Sequence, residues 1–172
     1  MLMVGGAPLV EDIVRKFGYL TLGTRLKRLG ERLQSDTAEI IAARGGERLP
    51  AGHYTFLAAL DRLGPLTIGE IAEAVGISQP GATRAIALLT RQGMTKVRPG
   101  RDDQRRRIVS LTPKGQRQTD FGRTEIWPDV EAAVADLCDP LSGPLLGQLA
   151  ALEDRLVEKP LPRRVPSRRK LA

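Results

Sequence analysis

The chain has 172 residues, 41% hydrophobic and 3% aromatic, enough for one ordinary domain or one with helical extensions, its core built mainly from Leu, Ile, Val and Ala. One cysteine (Cys138) excludes an internal disulfide framework and a multi-cysteine zinc site. One histidine (His53) excludes a histidine-rich metal site and leaves little room for a nucleophile–histidine triad, so the composition points away from an enzyme and calls for no cofactor. The formal net charge is +7, and six of the 27 basic residues lie in the acid-free stretch 159–172. A second cluster, KVRPGRDDQRRR at 96–107, holds six positives and two acids inside the expected folded part. No stretch is apolar over the length of a membrane span. The start, MLMVGGAPLVED, lacks the basic region of an export signal. The expectation is a cytoplasmic protein without a membrane partner.

From Glu11 to about Arg44 the pattern is helical and free of proline. Ile13, Phe17 and Leu20 precede Leu22, Leu26, Leu29 and Leu33 at spacings of 4, 3 and 4, and Arg44-Gly45-Gly46 stops the run. A short helix is expected over His53–Leu63, with Phe56, Leu57 and Leu60 inward, ended by Gly64-Pro65. Thr67-Ile-Gly-Glu70 reads as a capping box opening a helix that carries Ile71, Ala72 and Val75. Gly76 turns the chain, and Ile77 is expected to fill the turn. Ser78 is a good N-cap, and Pro80 is tolerated in the first turn of a helix running to about Gln92. Two short helices joined this tightly make a helix-turn-helix. Ala82, Ile86 and Leu89 form the inner face of the second; Gln79, Thr83, Arg84 and Ala87 point outward.

Met94–Val97 and Ile108–Leu111 are strand candidates flanking the basic loop, a β-hairpin directly after the helix-turn-helix. Thr112-Pro113 then starts a helix continuing to about Cys138, in which Pro128 should produce a kink. Asp139–Gly143 connects to a last amphipathic helix from Pro144 to about Glu158, with Leu145, Leu149, Leu152 and Leu156 in one stripe. The residues after Pro160 are basic and aperiodic and are expected to be disordered.

The fold class expected is mainly α with a small β-wing: a winged helix-turn-helix with long N- and C-terminal helices. In such a fold the second helix presents its N-terminal turn to the DNA major groove. Ser78, Gln79, Pro80, Thr83 and Arg84 are the candidates there, Arg84 for guanine or phosphate and Gln79 for adenine. At the wing, Arg105 is the candidate for the minor groove, where negative potential favours an inserted Arg. Asp103 would orient it by a bidentate pair. Lys96, Arg98, Arg101, Arg106 and Arg107 are candidates for phosphate contact.

Residues 64–115, GPLTIGEIAEAVGISQPGATRAIALLTRQGMTKVRPGRDDQRRRIVSLTPKG, resemble the MarR family of bacterial transcriptional regulators. The ordered set Asp103-x-Arg105, an apolar strand, Leu111-Thr112 and Gly115 carries the likeness, which extends over about 9–158. It implies a homodimer in which first and last helices interlock and two winged helices read a pseudo-palindrome in double-stranded DNA, as a repressor. It also implies a small aromatic or anionic effector between the dimerisation helices and the winged helix, for which Tyr19, His53, Tyr54 and Trp127 are candidates. The organisation expected is a dimerisation helix over 9–48, a DNA-binding domain over 50–112, C-terminal dimerisation helices over 113–158 and a basic tail over 159–172. FGYLTLGTRLKRLGERLQ and EIWPDVEAAVADLCDPLSGPLLGQLAALEDRL further resemble the regulator half of MarR–acetyltransferase fusions. Only a short basic tail follows them, so acetyl transfer is not expected. The alternative is a regulatory or protein-interaction module related to such fusions, without catalysis of its own.

Overall fold

The structure, a computed structural model, describes residues 11–47, 49–100 and 106–165. It divides into two compact units, residues 1–130 and 131–172.

The N-terminal run is not one helix. Helix α1 (Ile13–Lys16) is capped by the Asp12 carboxylate, which accepts from Arg15 N–H, and it closes at Phe17. Gly18 then takes a positive φ of 53°. No helix passes through that conformation, so the chain makes a 3-10 turn over Gly18–Thr21 before α2 (Leu22–Ala43) begins. Gly23 and Gly30 remain helical inside α2. Its apolar stripe lies open: Leu26, Leu29 and Leu33 are exposed, while Ile41 at the far end is buried.

The remainder of the first unit packs around one core. Helix α3 (Tyr54–Leu63), entered by a 3-10 turn at Ala51–His53, buries Tyr54, Phe56, Leu57 and Leu60. Strand β1 (Leu66–Thr67) leads into α4 (Ile68–Val75), which buries Ile71 and Ala72. Helix α5 (Gln79–Arg91) contributes Ala82, Ala85, Ile86 and Leu89. The hairpin is β2 (Thr95–Pro99) with β3 (Arg107–Leu111), antiparallel, Val97 opposite Val109. Strand β1 pairs on the other side of β3, Leu66 opposite Val109 and Thr67 opposite Ile108, so the sheet order is β1-β3-β2. That third strand has only two residues and no periodicity to announce it.

Thr112 caps α6 (Pro113–Phe121): its hydroxyl accepts from Gly115 N–H at 3.1 Å and donates to Gly93 carbonyl at 2.6 Å. The helix expected to run on to Cys138 is interrupted. A π turn spans Gly122–Ile126, and α7 (Trp127–Cys138) follows. Pro128 cannot donate to the ladder, and the irregularity lies one turn upstream of it as a wide turn. The Thr124 hydroxyl reaches back to the Asp120 carbonyl at 3.2 Å, supplying a donor where the helical spacing opens. Gly122 provides the room: a Cβ there would lie 3.1 Å from the Trp127 Nε1.

In the second unit, α7 ends at Cys138 and α8 spans Leu145–Glu158 after Pro144. Leu152 and Leu156 on α8 are exposed. The residues after Pro160 are not wholly irregular. Leu161–Arg164 form a 3-10 turn, and the Arg164 guanidinium donates to the carbonyls of Lys159, at 2.6 Å, and Arg155. Those carbonyls lie at the end of α8, where the helix dipole is negative, so a cation is well placed there.

Candidate nucleic-acid interface

Three caps build the site. Thr67 and Glu70 form a full capping box on α4: the Thr67 hydroxyl accepts from Glu70 N–H at 3.2 Å, and the Glu70 carboxylate accepts from Thr67 N–H at 2.7 Å. Helix α4 ends at Gly76, whose left-handed conformation (φ 73°, ψ 33°) reverses the chain within two residues. Ser78 is extended and its Oγ accepts from Gly81 N–H at 3.4 Å, opening α5 with Pro80 in the first turn. The two helices therefore meet at a corner fixed by local chemistry at both sides of the turn. Ile77 does not fill that turn as expected; it is exposed, and it borders a cleft.

Helix α5 buries its inner face and leaves Gln79, Pro80, Thr83, Arg84 and Ala87 in solvent, with Ser78 exposed at the cap. The Thr83 hydroxyl donates to the Gln79 carbonyl at 2.9 Å, so toward a ligand it presents acceptor lone pairs. Arg91, not singled out from the sequence, is also exposed and lies seven residues beyond Arg84, two helical turns along the same stripe. That i+7 spacing was the available signal. Arg84 and Arg91 pair with no carboxylate among the described residues.

The basic hairpin residues separate by register. Arg98 lies opposite Ile108 and Lys96 opposite Ser110, on the sheet face turned away from Val97 and the buried Val109. Arg107, opposite Pro99, belongs to the Val97–Val109 face and is exposed at its outer end. Arg106 is engaged: its Nη2 is 3.3 Å from the Glu70 Oε1. Hydrogen bonds from Thr67 chiefly, and the Arg106 charge beside it, hold the Glu70 carboxyl below the usual carboxylate range. Arg101, Asp103 and Arg105 lie outside the described residues.

The four residues expected around an effector do not gather at one site, although Tyr54 and Trp127 both approach Gly122 in the core. Tyr19 is 94% exposed in the 3-10 turn before α2. Tyr54 is a satisfied core tyrosine: its hydroxyl donates to the Glu47 carbonyl at 3.1 Å and accepts from Gln118 Nε2 at 3.0 Å. Burial pushes its phenol up. Trp127 packs against the core with the Arg123 guanidinium 6.0 Å from its ring. His53 borders a cleft of about 430 Å³, together with Gln34, Phe56, Ile77 and Ala85. Its ring is 5.9 Å from that of Phe56, and burial holds its imidazole below the ordinary range. Among the described residues no cluster of three metal-ligating side chains occurs, and no helix is long and apolar enough to cross a membrane.

The MarR family model matches residues 49–106. The chain is 29% identical over 110 residues to YwoH, an uncharacterized HTH-type transcriptional regulator of Bacillus subtilis (strain 168), across 61% of this chain and 80% of that protein. It is similar in structure to a mutant MarR from E. coli complexed with operator DNA, with a TM-score of 0.66 and 16% identity over 86% of this chain and 99% of that one. BpsR of Bordetella bronchiseptica, from work on the regulation of its DNA binding by 6-hydroxynicotinic acid, gives a TM-score of 0.59 and 19% identity over 80% of this chain and 93% of its own. The fold is the winged helix of the MarR-type regulators.

Proposed function

We propose that this chain, which carries a MarR family domain over residues 49–106, is a sequence-specific regulator of transcription that binds double-stranded DNA as a homodimer. The observation that carries this reading is the N-terminal face of α5. It is polar and exposed, its Arg84 pairs with no carboxylate among the described residues, and it is capped by Ser78 and set beside a hairpin whose Lys96 and Arg98 face outward. A major groove admits such a helix end, and the adjoining cations suit the phosphates that flank it. In this reading Ser78, Gln79, Thr83 and Arg84 read bases, Pro80 shapes the first turn, and Arg91, Lys96, Arg98, Arg101 and Arg107 are the phosphate candidates. Asp103 orients Arg105 toward the minor groove.

The open stripe Leu26–Leu29–Leu33 on α2 supports the dimer, since a second copy would remove it from water. The exposed leucines of α8 support it in the same way. Repression follows if the DNA-bound dimer occludes a promoter. The cleft beside His53 is the place we assign to a small anionic aromatic effector, by analogy with the BpsR relative. Selection of bound sequences from a random duplex pool tests the reading. The expected product is a pseudo-palindrome with half-site centres about 10 bp apart. A single asymmetric site, or light scattering that gives one chain mass at micromolar concentration, refutes the symmetric dimer.

A further inference from the structure

Glu70 has more to do than cap a helix. Its Oε2 accepts from both the backbone N–H and the hydroxyl of Thr67, each at 2.7 Å, which leaves Oε1 facing Arg106 Nη2 at 3.3 Å, across 36 residues of sequence. Thr67 belongs at once to the cap and to β1, where it pairs with Ile108, two residues beyond Arg106. Arg106 is held at its other end as well: its carbonyl accepts from Gly100 N–H at 2.8 Å, closing the far end of the hairpin ladder just outside the Pro99–Arg107 pair. One carboxylate thus ties together the first helix of the helix-turn-helix, the short strand β1 and the far end of the hairpin ladder.

We propose that Glu70 and Arg106 are a positioning pair that sets the direction in which the far end of the hairpin points relative to α5, and that Arg106 serves recognition through Glu70 instead of contacting a phosphate. The inference rests on the proposed DNA-binding function. Both side chains are about half exposed, 57% for Arg106 and 47% for Glu70, so the pair adds little to global stability. Its effect is on aim. A hairpin whose far end is free to swing still attracts DNA, but it must be ordered on binding, and that ordering counts against every sequence-dependent interaction it makes.

The conservative variant Glu70→Gln keeps an N3 side chain that can accept from Thr67 N–H, so the helix cap survives while the charge facing Arg106 is lost. Binding of the wild type, Glu70→Gln, Arg106→Ala and the double variant is measured by fluorescence anisotropy at several salt concentrations. The probes are a duplex selected by the wild type and a scrambled duplex of equal length. Each single variant is expected to bind the selected duplex about two- to five-fold more weakly, the range spanned by an exposed ion pair. The double variant should be no worse than either, and the scrambled duplex should show no change. The log K against log salt slope should stay that of the wild type. A role at the phosphates predicts otherwise: Glu70→Gln tightens binding to both duplexes, and Arg106→Ala weakens both with a slope shallower by about 0.9 for each phosphate no longer neutralised. That outcome overturns the proposal. An arm without DNA reads amide exchange at Gly100, expected to rise about two- to five-fold in each single variant and no further in the double. Unchanged exchange also overturns it. A wild type that binds neither duplex overturns the DNA-binding function itself, and the exchange arm then decides whether the pair positions the hairpin.

Discussion

Replacing Gly115 by alanine tests how firmly the hairpin is anchored to α6. A Cβ at this position would lie 2.0 Å from the Met94 carbonyl oxygen, 2.9 Å from its carbon and 3.3 Å from Leu111 Cδ2. Two of those atoms are backbone, so no flexible side chain can move aside. The start of α6 would have to retreat by more than about 1 Å to reach ordinary van der Waals separation. Two hydrogen bonds to the Met94 carbonyl stand in the way, from Thr112 N–H at 3.0 Å and from the Thr112 hydroxyl at 3.2 Å. The same hydroxyl also bonds the Gly93 carbonyl. Losing these three costs about 1 kcal/mol each, and the better helix propensity of alanine returns about 1 kcal/mol. Gly115→Ala should therefore destabilise the fold by about 2 kcal/mol and lower Tm by roughly 4–8 °C. Circular dichroism melts of both proteins at one fixed concentration measure it, since dissociation of a dimer would make Tm concentration-dependent. A variant melting at or above the wild-type temperature would refute the reasoning, because it would mean that α6 has slack the packing does not show.

Two further outcomes are expected. Arg84→Ala should cost about 1–3 kcal/mol of binding and relax preference at one position per half-site, as selected-sequence profiles of the variant would show; uniform weakening across sequences would make Arg84 a phosphate ligand instead. His53 titrates below 6.5 in the folded chain because burial disfavours its charged form, so as pH falls through 6.5 the unfolded chain takes up the proton first and stability declines. Stability should therefore rise with pH across the window just below 6.5, and urea titrations of His53→Gln should show a flatter profile there; coincident profiles would mean that His53 ionises alike in both states.

Local chemistry made much of this fold legible. The Thr67–Glu70 box, Ser78 and Thr112 are each recognisable within four residues, and each caps the helix expected of it. The inner face of α5 followed from spacing alone. What escaped was set at longer range or by backbone geometry. The left-handed turn at Gly18 breaks a run whose hydrophobic period continues undisturbed across it. Strand β1 exists because β3 passes beside Leu66 and Thr67, not because those two residues favour a strand. The basic loop read as one patch, yet the pleat sends Lys96 and Arg98 to one face and Arg107 to the other, while Arg106 meets a carboxylate 36 residues away in sequence. The effector candidates were grouped by residue type. In the fold Tyr54 and Trp127 join the core, Tyr19 stands in solvent, and His53 meets the cleft.

The π turn at Gly122–Ile126 acts as a phase shift built into the chain. A wide turn holds about one residue more than an α turn, and each residue advances a helix by about 100°, so Trp127 and Val130 just beyond it are rotated by roughly that angle from where an unbroken helix from Pro113 would place them. Both side chains pack against the core of the first unit in that shifted phase. Removing a single residue between Gly122 and Ile126 would leave composition, charge and helix content almost unchanged, yet it would turn Trp127 and Val130 a quarter of the way round the helix axis and away from the core. Because Ile126 is fully buried and Trp127 and Val130 pack against the same core, such a deletion would be felt in the stability of the first unit before anything else.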